Sequence, residues 1–289
     1  MTLSMDSVGS TKDGLDPQRI LFYSVQGLGK NTFGSTFEKP FVFQLEDGSG
    51  NVDMSTFRDE DGKPKIMASF DEVVEGIDAL HGEHDFKTLV IDTLDWLEPL
   101  IWAKQMAIHP LNEKGNPVTG IEDYGYGKGY IAVLEWWRWF MGGLNSLRFK
   151  KGMTIVLLAH TDIKRYDSPV VDPYDRYQVK LNRHASAFWQ EWADMVLFAN
   201  YQTRVEKAEV GFNNTVTRGE GSGDRIIYTE ERPAYHAKNR WGLSPEIFIG
   251  QDKSWSGFHC AFNEATEGRY ILPGHLKPKT KPDTKKGEK

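Results

Sequence analysis

The chain has 289 residues, of which 39% are hydrophobic and 26% charged, the proportions of a folded globular protein rather than a disordered one. The formal net charge is −6, but residues 277–289 carry six Lys against Asp283 and Glu288, which leaves about −10 elsewhere and excludes a general polyanion-binding surface. One cysteine, Cys260, excludes an internal disulfide and any multi-cysteine metal site, and no stretch reaches the ~18–20 apolar residues of a membrane span.

The opening MTLSMDSVGSTKDGLDP is polar and lacks the apolar core of a signal peptide, so a soluble, cytoplasmic protein is expected. Residues 1–17 and 274–289 read as tails, the second basic, around one domain over 18–273. Arg19–Ser24 is an apolar strand, followed by a Gly-rich loop and a helix from Lys30 to Phe37. Phe41–Leu45 is a second strand and Lys65–Ala68 a short third. Val73, Val74, Ile77 and Leu80 give Phe70–Leu80 a helical period. Thr88–Ile91 is a strand ending at Asp92, and the helix after it opens on an Asp95-x-x-Glu98 capping box and runs to Ala107.

A long loop is expected over 108–129, an amphipathic helix over Tyr130–Leu147, a strand over Thr154–Ala159 and a polar loop over 161–181. A helix over Arg183–Trp192 leads to a strand over Met195–Ala199, and 203–231 forms a hairpin with GEGSG at its tip. The tryptophans Trp136, Trp137, Trp139, Trp189 and Trp192 are assigned mostly to the core. Strands alternating with helices predict an α/β fold, a mostly parallel twisted sheet covered on both faces with a C-terminal hairpin region.

The strongest local signal is Ser24-Val25-Gln26-Gly27-Leu28-Gly29-Lys30-Asn31-Thr32, which lies between a strand and a helix as a phosphate-binding loop requires. Backbone N–H groups of Gly27, Leu28, Gly29, Lys30, Asn31 and Thr32 would turn toward phosphate oxygens, with the Lys30 ammonium on the β/γ-phosphates. The pattern departs from G-x-x-x-x-G-K-[ST] at Ser24 and at Asn31, where a hydroxyl normally ligates Mg²⁺. Asn31 or Thr32 is left to take that role; the alternative is an ordinary Gly-rich turn. Asp92 ends an apolar strand where a magnesium carboxylate belongs. Glu46 could orient a water or be a solvated turn residue, and His160 could sense the γ-phosphate or be a satisfied core histidine.

With these residues in place, FQLEDG (43–48), TLVIDTLDWLE (88–98), YGYGKGY (124–130), LLAHTDIKR (157–165), EWADMVLF (191–198) and AKNRWGL (237–243) resemble small phage-encoded RecA-like P-loop ATPases of the Sak-four kind, which act in single-strand annealing. The resemblance spans about residues 19–245 and implies a RecA-like core binding ATP and Mg²⁺, with Lys30, Glu46, Asp92 and His160 catalytic. It implies DNA contact from Tyr124, Tyr126, Lys128 and Tyr130 in one loop and Lys164 and Arg165 in another, where rings stack bases and cations neutralise phosphates. It also implies assembly into a ring or filament, with Lys238 and Arg240 reaching a neighbour's nucleotide. Local packing of the tyrosines and a surface basic pair are the respective alternatives.

The resulting expectation is a DNA-dependent ATPase that binds single-stranded DNA and promotes annealing or strand pairing in phage recombination, with a single-strand binding protein as a further partner. One alternative is a nucleotide-gated DNA-binding scaffold with little hydrolysis, because of Asn31; the other is a ring-forming DNA motor. The lysine-rich tail is expected to add salt-sensitive DNA affinity or only to solubilise.

Overall fold

The computed structural model describes residues 15–48, 52–209 and 215–276. Strand β1 (Arg19–Ser24) leads through the Gly-rich loop into α1 (Lys30–Ser35), then β2 (Pro40–Gln44), α2 (Phe70–Ala79), β3 (Thr88–Asp92) and α3 (Leu94–Ile108). A 3₁₀ turn (Ile121–Tyr124) precedes α4 (Lys128–Ala132), α5 (Leu134–Lys151), β4 (Thr154–Tyr166), β5 (Tyr174–Val179) and α6 (Arg183–Trp192). The chain then forms β6 (Met195–Glu209), β7 (Thr215–Tyr228), β8 (Lys238–Asn239), β9 (Glu246–Gly250) and α7 (Ser256–Ala265).

The sheet order is β2-β3-β4-β1-β6-β7-β9, with β5 pairing β4 and β8 pairing β6 off this path. The first five strands are parallel, and the later pairings are antiparallel. Parallel strands buried on both faces must be apolar throughout, and β1 alternates accordingly. Its Leu21 and Tyr23 join the core under α2, α3, α5 and α6, whereas Ile20 and Phe22 join Phe33 of α1 and Phe258 and Phe262 of α7 on the other face. Trp137 and Trp189 are fully buried in the first core and meet edge to face at 5.4 Å, while Trp139 stays half exposed. This is the expected α/β fold with a mostly parallel sheet covered on both faces, and β1 is flanked by β4 on one side and β6 on the other. In sheets of this kind ligands are taken at the carboxyl ends of the strands.

Several local expectations are corrected. Lys65–Ala68 makes only an isolated bridge between Ile66 and Gln44. The Asp95/Glu98 capping box does not form: Thr93 is the N-cap of α3, with no side-chain cap bond, and both carboxylates bond elsewhere. The loop over 108–129 contains a 3₁₀ turn and the start of α4. The polar segment 161–181 is largely a hairpin, because β4 runs on past Ala159 to Tyr166 and pairs antiparallel with β5 from Thr161↔Val179 to Tyr166↔Tyr174. GEGSG lies inside β7 rather than at a tip; residues 210–214, between β6 and β7, lie outside the described residues. Most of the two tails also lies outside them. The end of the first is pinned: Arg148, buried on α5, bonds the Pro17 carbonyl and reaches Asp16 Oδ2 at 3.2 Å.

Candidate nucleotide site

The parallel register brings the candidate residues to one edge of the sheet. Ser24 of β1 pairs with His160 of β4, and Gln44 of β2 pairs with Asp92 of β3, placing Glu46 two residues beyond that pair. The Asp92–Thr93 peptide is cis. The loop crosses from β1 to α1 over this edge. Gly29 caps α1 with φ 107°, a left-handed conformation that a Cβ would strain, so the glycine is a requirement of the turn. Leu28 is fully buried in the second core and anchors the crest of the loop.

Lys30 is 7% exposed. Burial lowers its pKa, opposed by Glu46, Asp92 and Asp95, the carboxylates that share its surroundings. Asp92 is fully buried, and neither carboxylate oxygen has a hydrogen-bond partner among the described residues. Burial, then the nearby Glu46 charge, pushes its pKa up to about 7, with Lys30, the Asn31 amide and His160 pulling it back. A buried carboxylate with both oxygens unpartnered costs stability, and either a proton or a cation relieves that cost. The oxygens of Asp92, Thr32 and Asn31 are the hard donors magnesium takes, and magnesium characteristically uses one or two carboxylates and keeps its waters. No cluster of three or more His, Cys, Asp or Glu side chains suited to a metal occurs among the described residues. Asn31 Nδ2 meanwhile donates to the Gly48 carbonyl at 3.1 Å.

His160 is held by Asp95 twice. Its backbone N–H donates to Oδ1 and its ring Nδ1 lies against Oδ2, both at 2.9 Å. An ionised carboxylate only accepts, so Nδ1 carries the proton and Nε2 is left without a protein partner among the described residues. Burial would raise the Asp95 pKa, but the His160 bonds outweigh it and hold the carboxyl below its ordinary value. One turn along α3, Glu98 accepts the Asn182 N–H with both oxygens, at 3.1 and 3.0 Å, and burial raises its pKa to about 7. Sequence reasoning missed the bracing roles of Asp95 and Glu98. The signal was present in DTLDWLE, whose carboxylates at 95 and 98 share a helical face.

The other candidates are more constrained than expected. Tyr124 donates its hydroxyl to His109 O at 2.6 Å, and Tyr130 donates to Glu122 Oε1 at 3.0 Å. Lys128 pairs with Glu113 at 2.5 Å, which leaves Tyr126, fully exposed, as the untethered ring of YGYGKGY. A Cβ on Gly129 would sit 2.2 Å from the Ile121 carbonyl, so that glycine serves close packing of α4 on the preceding turn. In the second segment, Lys164 donates to Leu181 O at 2.8 Å and Arg165 pairs with Asp167 at 3.2 Å. Lys238 and Arg240 do not gather at the nucleotide edge. β8 pairs with the beginning of β6, at the opposite end of the sheet, and Lys238 Nζ donates to Gln190 O and Glu191 O at the end of α6. Arg240 shares Asp194 with Arg19. Both basic side chains are thus occupied within their own chain.

A family model described as an AAA domain matches residues 16–241. The crystal structure of the RadB recombinase superposes with a TM-score of 0.43 and 11% identity, over 83% of this chain and 90% of that one. No curated protein matches. No described helix is long and apolar enough to cross a membrane. With its model covering most of the sequence, the chain belongs to the AAA domain family.

Proposed function

We propose that the protein binds ATP with Mg²⁺ at the β1–α1 loop and hydrolyses it in response to single-stranded DNA, promoting annealing or strand pairing in phage recombination. The observation that carries the reading is Asp92, a buried carboxylate with two idle oxygens beside Lys30 and the loop. Inward amides of residues 27–32 and the Lys30 ammonium hold the phosphates, and Asp92, Thr32 and Asn31 hold the ion. Bound magnesium would supply charge neutralisation at the β- and γ-phosphate oxygens. Glu46 orients the attacking water and accepts its proton, and Asp95 fixes the His160 ring at the end of β4 beside the site.

DNA is assigned to the side of the strands' carboxyl ends, where β4 continues from His160 into the hairpin carrying Lys164 and Arg165. Tyr126 supplies an exposed ring. An ATPase assay with and without single-stranded DNA tests the reading. Stimulation that vanishes in Lys30→Ala and Glu46→Gln is expected; no turnover and no DNA binding at low salt would refute it.

A second reading, a nucleotide-gated scaffold with slow turnover, is favoured by Asn31, whose Nδ2 is committed to Gly48. Asn31→Thr should then raise hydrolysis while ATP-dependent DNA affinity stays put. Brisk turnover of the natural chain, unchanged by the substitution, removes it.

A further inference from the structure

The peptide planes at the crest of the loop are gripped from behind by two side chains of the β6–β7 ribbon. Tyr201 donates its hydroxyl to the Gly27 carbonyl at 3.2 Å, and Arg225 Nε donates to the Leu28 carbonyl at 2.8 Å. The two residues are direct cross-strand partners, and the register shifts immediately after Tyr201. A bulge of this kind re-aims the neighbouring side chains of a strand. Arg225 is itself backed by Trp255, whose ring centre lies 5.9 Å from the guanidinium carbon. Trp255 is nearly fully buried, edge-on to Phe22 and Phe33.

In a planar trans peptide the carbonyl and the following N–H point in opposite directions. Fixing the Gly27 carbonyl outward therefore turns the Leu28 N–H inward, and fixing the Leu28 carbonyl does the same for the Gly29 N–H. Both peptides are flanked by glycine in left-handed conformations, Gly27 at φ 77° and Gly29 at φ 107°, where a flip of the plane meets little steric resistance. A flipped peptide would present a carbonyl oxygen to the phosphates in place of a donor.

We infer that Tyr201 and Arg225 are positioning residues that hold the Leu28 and Gly29 amides toward the nucleotide's phosphates. The inference rests on the ATP-binding reading above. It links that site to the antiparallel ribbon, since the grip lasts only while β6 and β7 stay in register at this pair.

Titration calorimetry of Mg·ATP into the full chain tests it with Lys30→Ala, Tyr201→Phe, Arg225→Ala and Arg225→Lys, each paired with thermal unfolding without nucleotide. The natural chain should bind and Lys30→Ala should not. Tyr201→Phe should weaken the Kd by about three- to tenfold and Arg225→Ala by about tenfold or more, the scale of a lost hydrogen bond with a neutral or a charged donor. Arg225→Lys, which keeps a charged donor, should recover part of the loss. A side chain that only held the ribbon together would lower the unfolding midpoint or the binding stoichiometry and leave the Kd of folded molecules unchanged. Unaltered Kd in both Tyr201→Phe and Arg225→Ala, while Lys30→Ala loses binding, overturns the inference alone. No binding by the natural chain overturns the nucleotide reading, and the inference with it.

Discussion

Replacing Asp92 by Asn should stabilise the nucleotide-free protein while destroying its use of Mg·ATP. The carboxyl has an ordinary pKa of 3.8 and is raised to about 7 in the folded chain, chiefly by burial. Between those values the native state holds a proton that the unfolded state has lost, so stability falls as pH rises through this window and the deficit is constant above it. Three units correspond to about 4 kcal/mol, and at pH 5 the same linkage leaves about 1.5 kcal/mol. Asparagine removes the charge but brings a buried amide of its own, so a gain of about 2–4 kcal/mol at pH 8 is expected, shrinking markedly at pH 5. For a chain of this size that is roughly 4–8 °C in unfolding midpoint. Urea unfolding of both proteins at pH 5 and pH 8, with calorimetry of Mg·ATP at pH 8, supplies the comparison. A destabilised variant, or an equal difference at both pH values, would show that Asp92 is not held as an uncompensated charge, and the argument for a cation there would fail.

Further expectations concern protons, packing and the tail. Mg·ATP affinity should fall as pH drops below about 7, by up to about tenfold per unit, because the protonated Asp92 loses its oxygen for the ion's shell; a pH-independent Kd between 6 and 8 contradicts this. His259 is fully buried between Thr36 Oγ1 at 2.8 Å and Tyr270 at 2.7 Å, and burial lowers its pKa to about 3. Its contribution is complete above pH 6.5 and lost as pH falls, about 2 kcal/mol at pH 5; His259→Asn should flatten that limb of the stability curve. Gly129→Ala must displace the Ile121 carbonyl, and its unfolding midpoint should drop by several degrees, whereas Gly115→Ala, with open space around it, should suffer only its backbone strain. Deleting 277–289 should lower DNA affinity and its salt slope if the lysines touch phosphates, and an unchanged slope in a filter-binding titration assigns them to solubility.

The parallel core was legible because its signals are local. β1, β3 and the first half of β4 are apolar on both faces, so continuous Ile, Leu and Val runs mark them, and each ends in a residue of changed character: Ser24, Asp92 or His160. Register then carried those ends to one edge without further information. The second half of β4 was illegible for the opposite reason. Beyond Ala159 the strand leaves the core, so Thr161, Asp162, Lys164 and Arg165 read as a loop although their backbone is paired with β5. Nothing in the local pattern announces a ladder whose two faces are largely wet.

The same distinction explains the site. Lys30 and Asp92 are recognisable because their chemistry is bound to a motif and a strand end. The residues that aim them come from distant positions: Asp95 holds His160 from another element, and Tyr201 and Arg225 hold the loop from more than 170 residues away in sequence. Their types are common and their spacing carries no period, so only the folded chain brings them together. Lys238 makes the converse point. A basic residue in AKNRWGL invites a role at a phosphate, yet its ammonium bonds two carbonyls at the end of α6, and burial, then Arg240, lowers its pKa. Freeing it would exchange those bonds for bonds to water, because the contact with Glu191 lies at the surface. A role in a neighbouring subunit's site would draw the Lys238 ammonium away from the end of α6 and leave its place there to water.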